Sequence, residues 1–500
     1  LVIGSSPAGL QAALDLADSG LQVHLVEPSP FLAPDQEAAV PAHHLNARLL
    51  EIAKHPYVTA WTNARIERFE GHAGRFRVEL TQQPRYVDLT KCTACGDCIE
   101  ACPVTIPGTD QKAIFLMDGG QPGCAAIDKM GKAPCSDACP GGIHVQGYVA
   151  LVAEGRFQEA IDLIREAIPL PGICGRICTH PCEVNCRRSE VDSPVAIRLL
   201  KRFVSDWEIQ HDTGQPPAKS GEPAPAWNGK RVAIVGAGPG GVTVADRLAR
   251  LGYRVTVFEK LPVVGGMMAV GIPEYRLPRA IIAREYQRIQ DAGVDIRLNT
   301  AIGPDGDHTL DDPFAMGYEA ICLTIGAHKS RALRIPGEDL PGVLHGIELL
   351  RTLSLSQQLD DPQYTDRLQR MLPRGIQTRV AVLGGGNTAM DASRSLRRLG
   401  VKHVRILYRR TRNEMPALPE EIEDAEQEGV SLEFLVSPVR VLGDRQRGMV
   451  GLECQRMELG EPDASGRRRP LPITGSEFTV DLDLVVLGIG QAPDLGLLGQ

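Results

Sequence analysis

Three stretches of this chain follow one local plan: a β-branched run, a turn on glycine, a helix with Ala and Leu spacing, and a second apolar strand. They are LVIGSSPAGLQAALDLADSGLQVHLVE (1–27), RVAIVGAGPGGVTVADRLARLGYRVTVFE (231–259) and RVAVLGGGNTAMDASRSLRRLGVKHVRILYRR (379–410). The apolar period switches between strand and helix values within each, which marks a βαβ unit. Repeated βαβ units imply parallel sheets with helices packed against them, so the expected fold class is α/β with Rossmann-like domains. At 500 residues the chain exceeds one core and suggests three or more domains. A net charge of −8 argues against nucleic acid as the main partner. No apolar run is long enough to span a bilayer, and no charged-then-apolar leader is seen. The opening LVIG, already inside a strand, and the closing GLLGQ suggest a fragment. The expected location is cytoplasmic.

In GAGPGG, Gly236, Gly238 and Gly241 fit G-x-G-x-x-G. Gly236 allows the tight turn, Gly238 lets the backbone approach a pyrophosphate, and Gly241 lets helix and strand pack closely. The phosphates then face unpaired N–H groups at a helix N-terminus. Glu259, 23 residues after Gly236, ends the next strand where a ribose hydroxyl would be held. In GGGNTA, Gly384, Gly386 and Ala389 fit the variant that ends in alanine, and the next strand ends in Tyr408-Arg409-Arg410. An acid there would repel a 2′-phosphate and arginine pairs with it, so NADPH is expected over NADH. An ordinary solvent-facing arginine pair is the alternative. The first loop, GSSPAG, departs from the pattern, because Ser6 stands where the second glycine should be and its Cβ would crowd a pyrophosphate. Glu27 is present, but the cysteines begin before the rest of a flavin domain. A structural lobe and a working dinucleotide site both stay open for residues 1–30.

Eleven of the thirteen cysteines lie between Cys92 and Cys186, and Cys322 and Cys454 stand apart. Disulfide-dense chains are usually small and secreted, so metal ligation is the better account here. KCTACGDCIEACP (91–103) is C-x2-C-x2-C-x3-C-P, the bacterial ferredoxin run. Cys92, Cys95 and Cys98 should share one 4Fe–4S cube. Its fourth ligand is Cys102 or a downstream cysteine such as Cys124 or Cys139; structural zinc is the alternative. A second group joins APCSDACPGGI (133–143) to ICGRICTHPCEVNCRR (173–188), where Cys174, Cys178, Cys182 and Cys186 recur every four residues. Four buried cysteines on a helix face would give that spacing too, but the prolines and Gly175 argue against a clean helix. Helices are expected within 145–167, broken near Gly155, and over 194–209 with proline in the first turn. A Pro-rich linker follows at 211–230.

VFEKLPVVGGMMAVGIPEYRLP (257–278) closely resembles the flavin-domain signature of the glutamate synthase small subunit, shared with dihydropyrimidine dehydrogenase. The resemblance runs from about Pro134 onward. It implies two facing nucleotide domains, FAD in the first and NADPH in the second. By that resemblance Gly236, Gly238, Gly240, Gly241, Glu259, Lys260, Gly266, Met267 and Arg276 would contact FAD. Gly385, Gly386, Asn387, Thr388, Arg409 and Arg410 would hold NADPH, and RRTRNEMPALPEE (409–421) would shape the nicotinamide side. LTIGA (323–327) and LGIGQAPD (487–494), with Gly488 and Gly490, match the two crossovers between the domains. The family also places two clusters in a helical domain. Cys139, Cys178 and Cys182 would then serve one cluster, and Cys135, Cys174 and Cys186 the other positions, with Cys124 the available upstream cysteine. PRYVDLTKCTACGDCIEACP, with NARLLEIAKHPYVTAWTNARIERFEG before it, resembles the heterodisulfide reductase A subunit over roughly residues 1–125.

These readings imply a partial Rossmann-like lobe over 1–85, a ferredoxin-like segment over 86–125 and a helical iron–sulfur domain over 126–215. An FAD-binding domain would span 229–345, an NADPH-binding domain 346–478, and a return to the FAD domain 479–500. The expected activity is hydride transfer from NADPH to FAD, then single electrons through two or three 4Fe–4S clusters to a partner subunit. A glutamate synthase large chain or a ferredoxin-linked complex is the expected acceptor. Such chemistry asks for positioning of cofactors, and no catalytic acid–base residue is assigned. A heterodisulfide-reductase-like component and a non-catalytic electron relay are the alternatives. EEIEDAEQE (420–428) reads as a solvated helix face, Arg467–Arg469 as a turn, and His43 and His44 as surface residues.

Overall fold

The computed structural model describes residues 1–32, 42–72, 74–102, 105–106, 109–129, 132–211, 226–372 and 375–498. Most of the expected linker, 212–225, lies outside the described residues, as do Pro103 and the side chains of His43 and His44. The chain divides into two compact units, Leu1–Pro134 with Cys186–Pro194, and Cys135–Asn185 with Val195–Gln500.

The first unit holds a three-stranded parallel sheet of Val2–Ile3, Val23–Val26 and Val58–Trp61, in that order. Helix Pro7–Asp18 buries Leu10, Ala13, Leu14 and Ala17, the stripe a 3.6-residue period aligns. They pack with Leu25 and, from helix Ala42–Lys54, Leu49 and Ile52. An antiparallel hairpin, Ala64–His72 with Arg75–Gln82, follows. The cysteine run lies in loops around the short helix Asp97–Glu100.

In the second unit, helices Val145–Ala153 and Phe157–Ala167 separate near Gly155 as the sequence indicated. The expected helix at 194–209 spans Ile197–Gln210, so Pro194 precedes it rather than occupying its first turn. Helices Pro171–Ile177 and Ile197–Gln210 meet closely, since a Cβ on Gly175 would lie 2.7 Å from the Arg202 Cα.

Two parallel sheets carry the nucleotide motifs. One has the order Asp295–Arg297, Arg254–Phe258, Arg231–Val235, Ala320–Leu323. The other has the order Val343–His345, Leu484–Leu487, Arg379–Leu383, His403–Tyr408, Ser431–Phe434. Leu484–Leu487, expected within the return to the first nucleotide domain, instead pairs with Val380–Leu383 in the second sheet. The return comes later, where Gln491–Ala492 pairs antiparallel with Lys329–Ser330, uniting the two expected crossovers. The second domain also bears a long antiparallel sheet, Val436–Asp444, Gly448–Pro462 and Arg468–Asp481, that sequence reading did not separate out. Arg467 lies in the turn expected there, while Arg468 and Arg469 start a strand.

Candidate functional site: two dinucleotide loops and a cysteine-bearing helical layer

The loop after Arg231–Val235 is shaped by close approaches. Gly236 has φ +105°, and a Cβ on it would lie 2.6 Å from the Thr324 carbonyl oxygen, so only glycine fits. A Cβ on Gly241 would lie 2.0 Å from the Gly236 oxygen, which is the helix–strand contact inferred from sequence. Gly238 caps helix Pro239–Arg250 and has open space where its Cβ would be, as backbone approach to a pyrophosphate requires. Gly240 lies beside Thr324, and Gly266 lies against Gly238, with Met267 opening the short helix Met267–Val270. Buried Glu259 accepts the Ala237 N–H at 2.7 Å and the Leu261 N–H at 2.8 Å, one on each oxygen. Each oxygen keeps a lone pair for a ribose hydroxyl. The Tyr286 hydroxyl donates to the Ala237 carbonyl at 2.6 Å, a buttress invisible in the motif. The residues present fit a dinucleotide.

The second loop repeats this plan. A Cβ on Gly384 would lie 2.3 Å from the Gly488 oxygen, and Gly488 in turn packs against Ala389. Gly488 is thus a packing partner of the second loop, and Gly490 lies at the crossover, where its carbonyl accepts the Arg331 N–H at 3.1 Å. Gly385 sits against the Tyr408 ring, Gly386 caps helix Asn387–Arg398, and Thr388 lies against Gly346. Asn387 Oδ1 accepts the Leu418 N–H at 3.1 Å, and the Gly385 carbonyl accepts the Ala417 N–H at 3.1 Å, so the segment before helix Pro419–Gln427 rests on this loop.

Three arginines expected to touch nucleotide are placed differently. Arg409 is exposed and has no ion pair or hydrogen bond among the described residues. Arg410 is buried, donating to the Arg468 carbonyl at 2.7 Å and to Asp463 at 2.5 Å. Arg276 is held by both Asp391 oxygens, at 2.9 and 2.8 Å, and by Glu421 at 2.7 Å, so it joins the two nucleotide domains. Burial pushes the Asp391 carboxyl up to about 6. The face expected to be solvated at 420–428 is partly interior, because Glu421 is buried and also pairs with Arg394. Exposed Lys260 lies near His328, whose Nδ1 accepts from Arg351 at 2.7 Å.

In the second unit Cys174 and Cys182 each lie within electrostatic reach of Cys139 and Cys178, and Cys135 and Cys139 pack on the same core as buried Tyr148. Cys174, which the resemblance set with Cys135 and Cys186, also lies within electrostatic reach of Cys178 and Cys139. Burial pushes the Cys174 and Cys182 thiols up to about 11. Metal ligation needs thiolate, and nearly buried Lys201 beside both favours it. Cys178 Sγ accepts the His180 N–H at 3.3 Å. Soft donors with N–H support fit an iron–sulfur cluster. Among the described residues no three His, Cys, Asp or Glu groups close into a finished metal cage. Cys454 is fully buried in the antiparallel sheet, its thiol pushed up to about 12, and Cys322 lies in a strand of the first nucleotide sheet.

In the first unit, Cys95 and Cys98 are exposed and Cys92 and Cys102 half-buried. Cys124 stands beside Cys92: its thiol donates to the Cys92 carbonyl at 3.8 Å, and the next N–H, of Ala125, reaches Cys92 Sγ at 3.4 Å. Those N–H contacts, from Ala125 and Ala94, hold the Cys92 thiol below its usual range. Arg85 fixes this corner by donating to the Cys124 and Ala125 carbonyls at 3.0 and 3.1 Å. Cys186 falls in this unit too.

The first glycine loop keeps its acid geometry, with Glu27 accepting from Ser5 N, Ser5 Oγ and Ser29 N at 2.8, 2.7 and 2.9 Å. Ser6 caps its helix by accepting the Gly9 N–H at 3.3 Å, which occupies a donor a phosphate would use. A cleft of about 570 Å³ follows the strand, lined by Pro28, Pro30, Asn63, Arg65, Phe115 and Lys129 among others.

A family model described as pyridine nucleotide-disulphide oxidoreductase matches residues 230–500. Another, dihydropyrimidine dehydrogenase domain II, 4Fe-4S cluster, matches 124–213, and a 4Fe-4S binding domain matches 85–106. The beta subunit of the NADP(+)-dependent formate dehydrogenase of Moorella thermoacetica is 44% identical over 73% of this chain and 52% of its own length. The NADPH-Fe(3+) oxidoreductase subunit beta of Geobacter sulfurreducens is 45% identical over 74% of this chain and 52% of its own. The glutamate synthase [NADPH] small chain of Escherichia coli is 34% identical over 73% of this chain and 75% of that one. The chain thus spans about half the length of the first two relatives.

Proposed function

As the chain belongs to the pyridine nucleotide-disulphide oxidoreductase family, with the glutamate synthase small chain among its relatives, we propose that it draws electrons from NADPH and delivers them singly to a partner subunit. Its cofactors are FAD, NADP(H) and 4Fe–4S clusters. Flavin supplies acceptance of a hydride and release of electrons one at a time, the form that iron–sulfur clusters carry. The chain's own residues bind and align. The Gly236–Gly241 loop, with Glu259 and Gly266, holds the FAD pyrophosphate and ribose. The Gly384–Thr388 loop holds NADPH, and Arg409, left without a protein partner among the described residues, meets its 2′-phosphate. Arg276 fixes the first loop's domain against the helix that starts at Asn387 and so would help align the two bound nucleotides.

The observation that carries this reading is that two complete dinucleotide loops and a group of cysteines share one compact unit. The cysteine-bearing helix Pro171–Ile177 is docked directly on the first loop's domain, where Glu285 accepts the Gly172 N–H at 2.8 Å. Two of the relatives are named as beta subunits, which supports another polypeptide as acceptor. A glutamate synthase-type large chain or a ferredoxin-linked complex fits the relatives' chemistry. Among the described residues no helix is long and apolar enough to cross a membrane. Anaerobic addition of NADPH to the flavin-loaded chain tests the reading: flavin absorbance bleaches, and NADH at equal concentration acts more weakly. Retention of full flavin colour with NADPH sinks it. Anaerobic purification with partners retained then identifies the acceptor.

A further inference from the structure

We propose that Arg198 sets the reduction potential of the cluster that Cys178 ligates, with Glu420 of the second nucleotide domain as its counter-charge. The proposal rests on the reading that Cys178 binds a 4Fe–4S cluster. Arg198 is the second residue of helix Ile197–Gln210, and its backbone N–H is pinned by Glu183 Oε1 at 2.7 Å. Its Nη1 donates to the Cys178 carbonyl at 3.4 Å and to Glu420 Oε1 at 2.8 Å, while Nη2 reaches Glu420 Oε2 at 3.2 Å. One guanidinium therefore touches the main chain of a cluster ligand and a carboxylate 222 residues further along the chain.

Three facts make this contact electrostatic rather than incidental. The Arg198 side chain is only 14% exposed, so its charge is weakly screened on the cysteine side. Lys201, one turn on and nearly buried beside Cys174 and Cys182, places a second cation on the same helix. Glu420 sits two residues after Leu418, whose N–H is held by Asn387 of the second glycine loop. The domain that receives the electron donor thus supplies the anion that masks Arg198.

Reduction adds one electron and one negative charge to a cluster, with no bond made or broken. A nearby cation favours the reduced form and a nearby carboxylate opposes it, because net charge and ligand hydrogen bonds set cluster potentials. Removing Arg198 must therefore lower the potential, and neutralising Glu420 must raise it. A merely structural role would shift both the same way or not at all.

The test is a potentiometric titration followed by electron paramagnetic resonance, on the anaerobically reconstituted full chain, with the relevant signal identified by its loss in Cys178→Ser. Arg198→Met should lower the midpoint and Glu420→Gln raise it. Arg198→Met should change the flavin–cluster electron equilibrium by about tenfold, equivalent to ~59 mV for one electron. Glu420→Gln should change it by less, because that carboxylate is 50% exposed and solvent screens it. Arg198→Lys, which keeps the charge, should stay nearer wild type than Arg198→Met. Shifts of the same sign, or none, at wild-type iron content overturn the proposal. If Arg198→Met fails to retain the cluster, Glu420→Gln decides alone: a raised midpoint supports, an unchanged or lowered one overturns. A wild-type chain without an iron–sulfur signal overturns the underlying reading as well.

Discussion

Tyr408 closes its strand with its ring against Gly385 of the second loop, and the two arginines that follow it separate in duty. Arg410 stitches the strand end to the antiparallel sheet through Arg468 and Asp463, whereas Arg409 stays exposed. Arg409→Ala should weaken NADPH binding about tenfold, the scale of one lost charge-assisted contact, and leave NADH unchanged. Arg410→Ala should instead lower the melting temperature and weaken both nucleotides alike. Isothermal titration with each nucleotide, beside a melting curve, separates the two; equal loss of NADPH and NADH in Arg409→Ala would remove the 2′-phosphate assignment. His328 gives a pH signature. Burial, then Arg351 and Lys260, lowers its pKa from 6.5 to about 4. Between those values the unfolded chain binds a proton that the native chain refuses, so stability is whole above about pH 6.5 and falls as pH drops toward 4. His328→Gln should flatten that limb in melting curves recorded across the window; an unchanged slope would discount the histidine.

At the scale of elements, the helix pair Pro171–Ile177 and Ile197–Gln210 carries most of the consequence. Gly175→Ala would drive a methyl to 2.7 Å from the Arg202 Cα, and overpacking of this kind costs roughly 1–3 kcal/mol. The helices must part, displacing Cys174 and Cys178, so iron content should fall while flavin content holds. Equal loss of both would mean that the two layers fold as one. The βαβ units were legible in the sequence because each glycine's task is local: a turn, a close approach and a helix start within six residues. The break near Gly155 was legible for the same reason. Partners far apart in sequence were not. Arg276 looked like a flavin contact, yet its acceptors, Asp391 and Glu421, are brought to it only by the packing of the second domain. Glu421 lay in an acidic run that reads as solvated, and nothing local marks the one carboxylate turned inward. The placement of Leu484–Leu487 in the second sheet was equally hidden, since an apolar run does not state which sheet it completes.

At the scale of the whole molecule, the ferredoxin run and the paired nucleotide loops fall in different compact units. That division suits a relay in which the first unit extends the route rather than performing the hydride step. Cys95→Ser should therefore slow reduction of a distal acceptor severalfold while flavin bleaching by NADPH keeps its wild-type rate; matched loss of both would reverse the order of carriers. The most direct measurement of the central claim is an anaerobic reductive titration of the fully loaded chain with NADPH, reading flavin absorbance and iron–sulfur resonance in the same sample. Flavin should lose colour and cluster signals should rise with it as NADPH is added. Flavin that bleaches fully while every cluster stays oxidised, at potentials where dithionite reduces them, would contradict that claim.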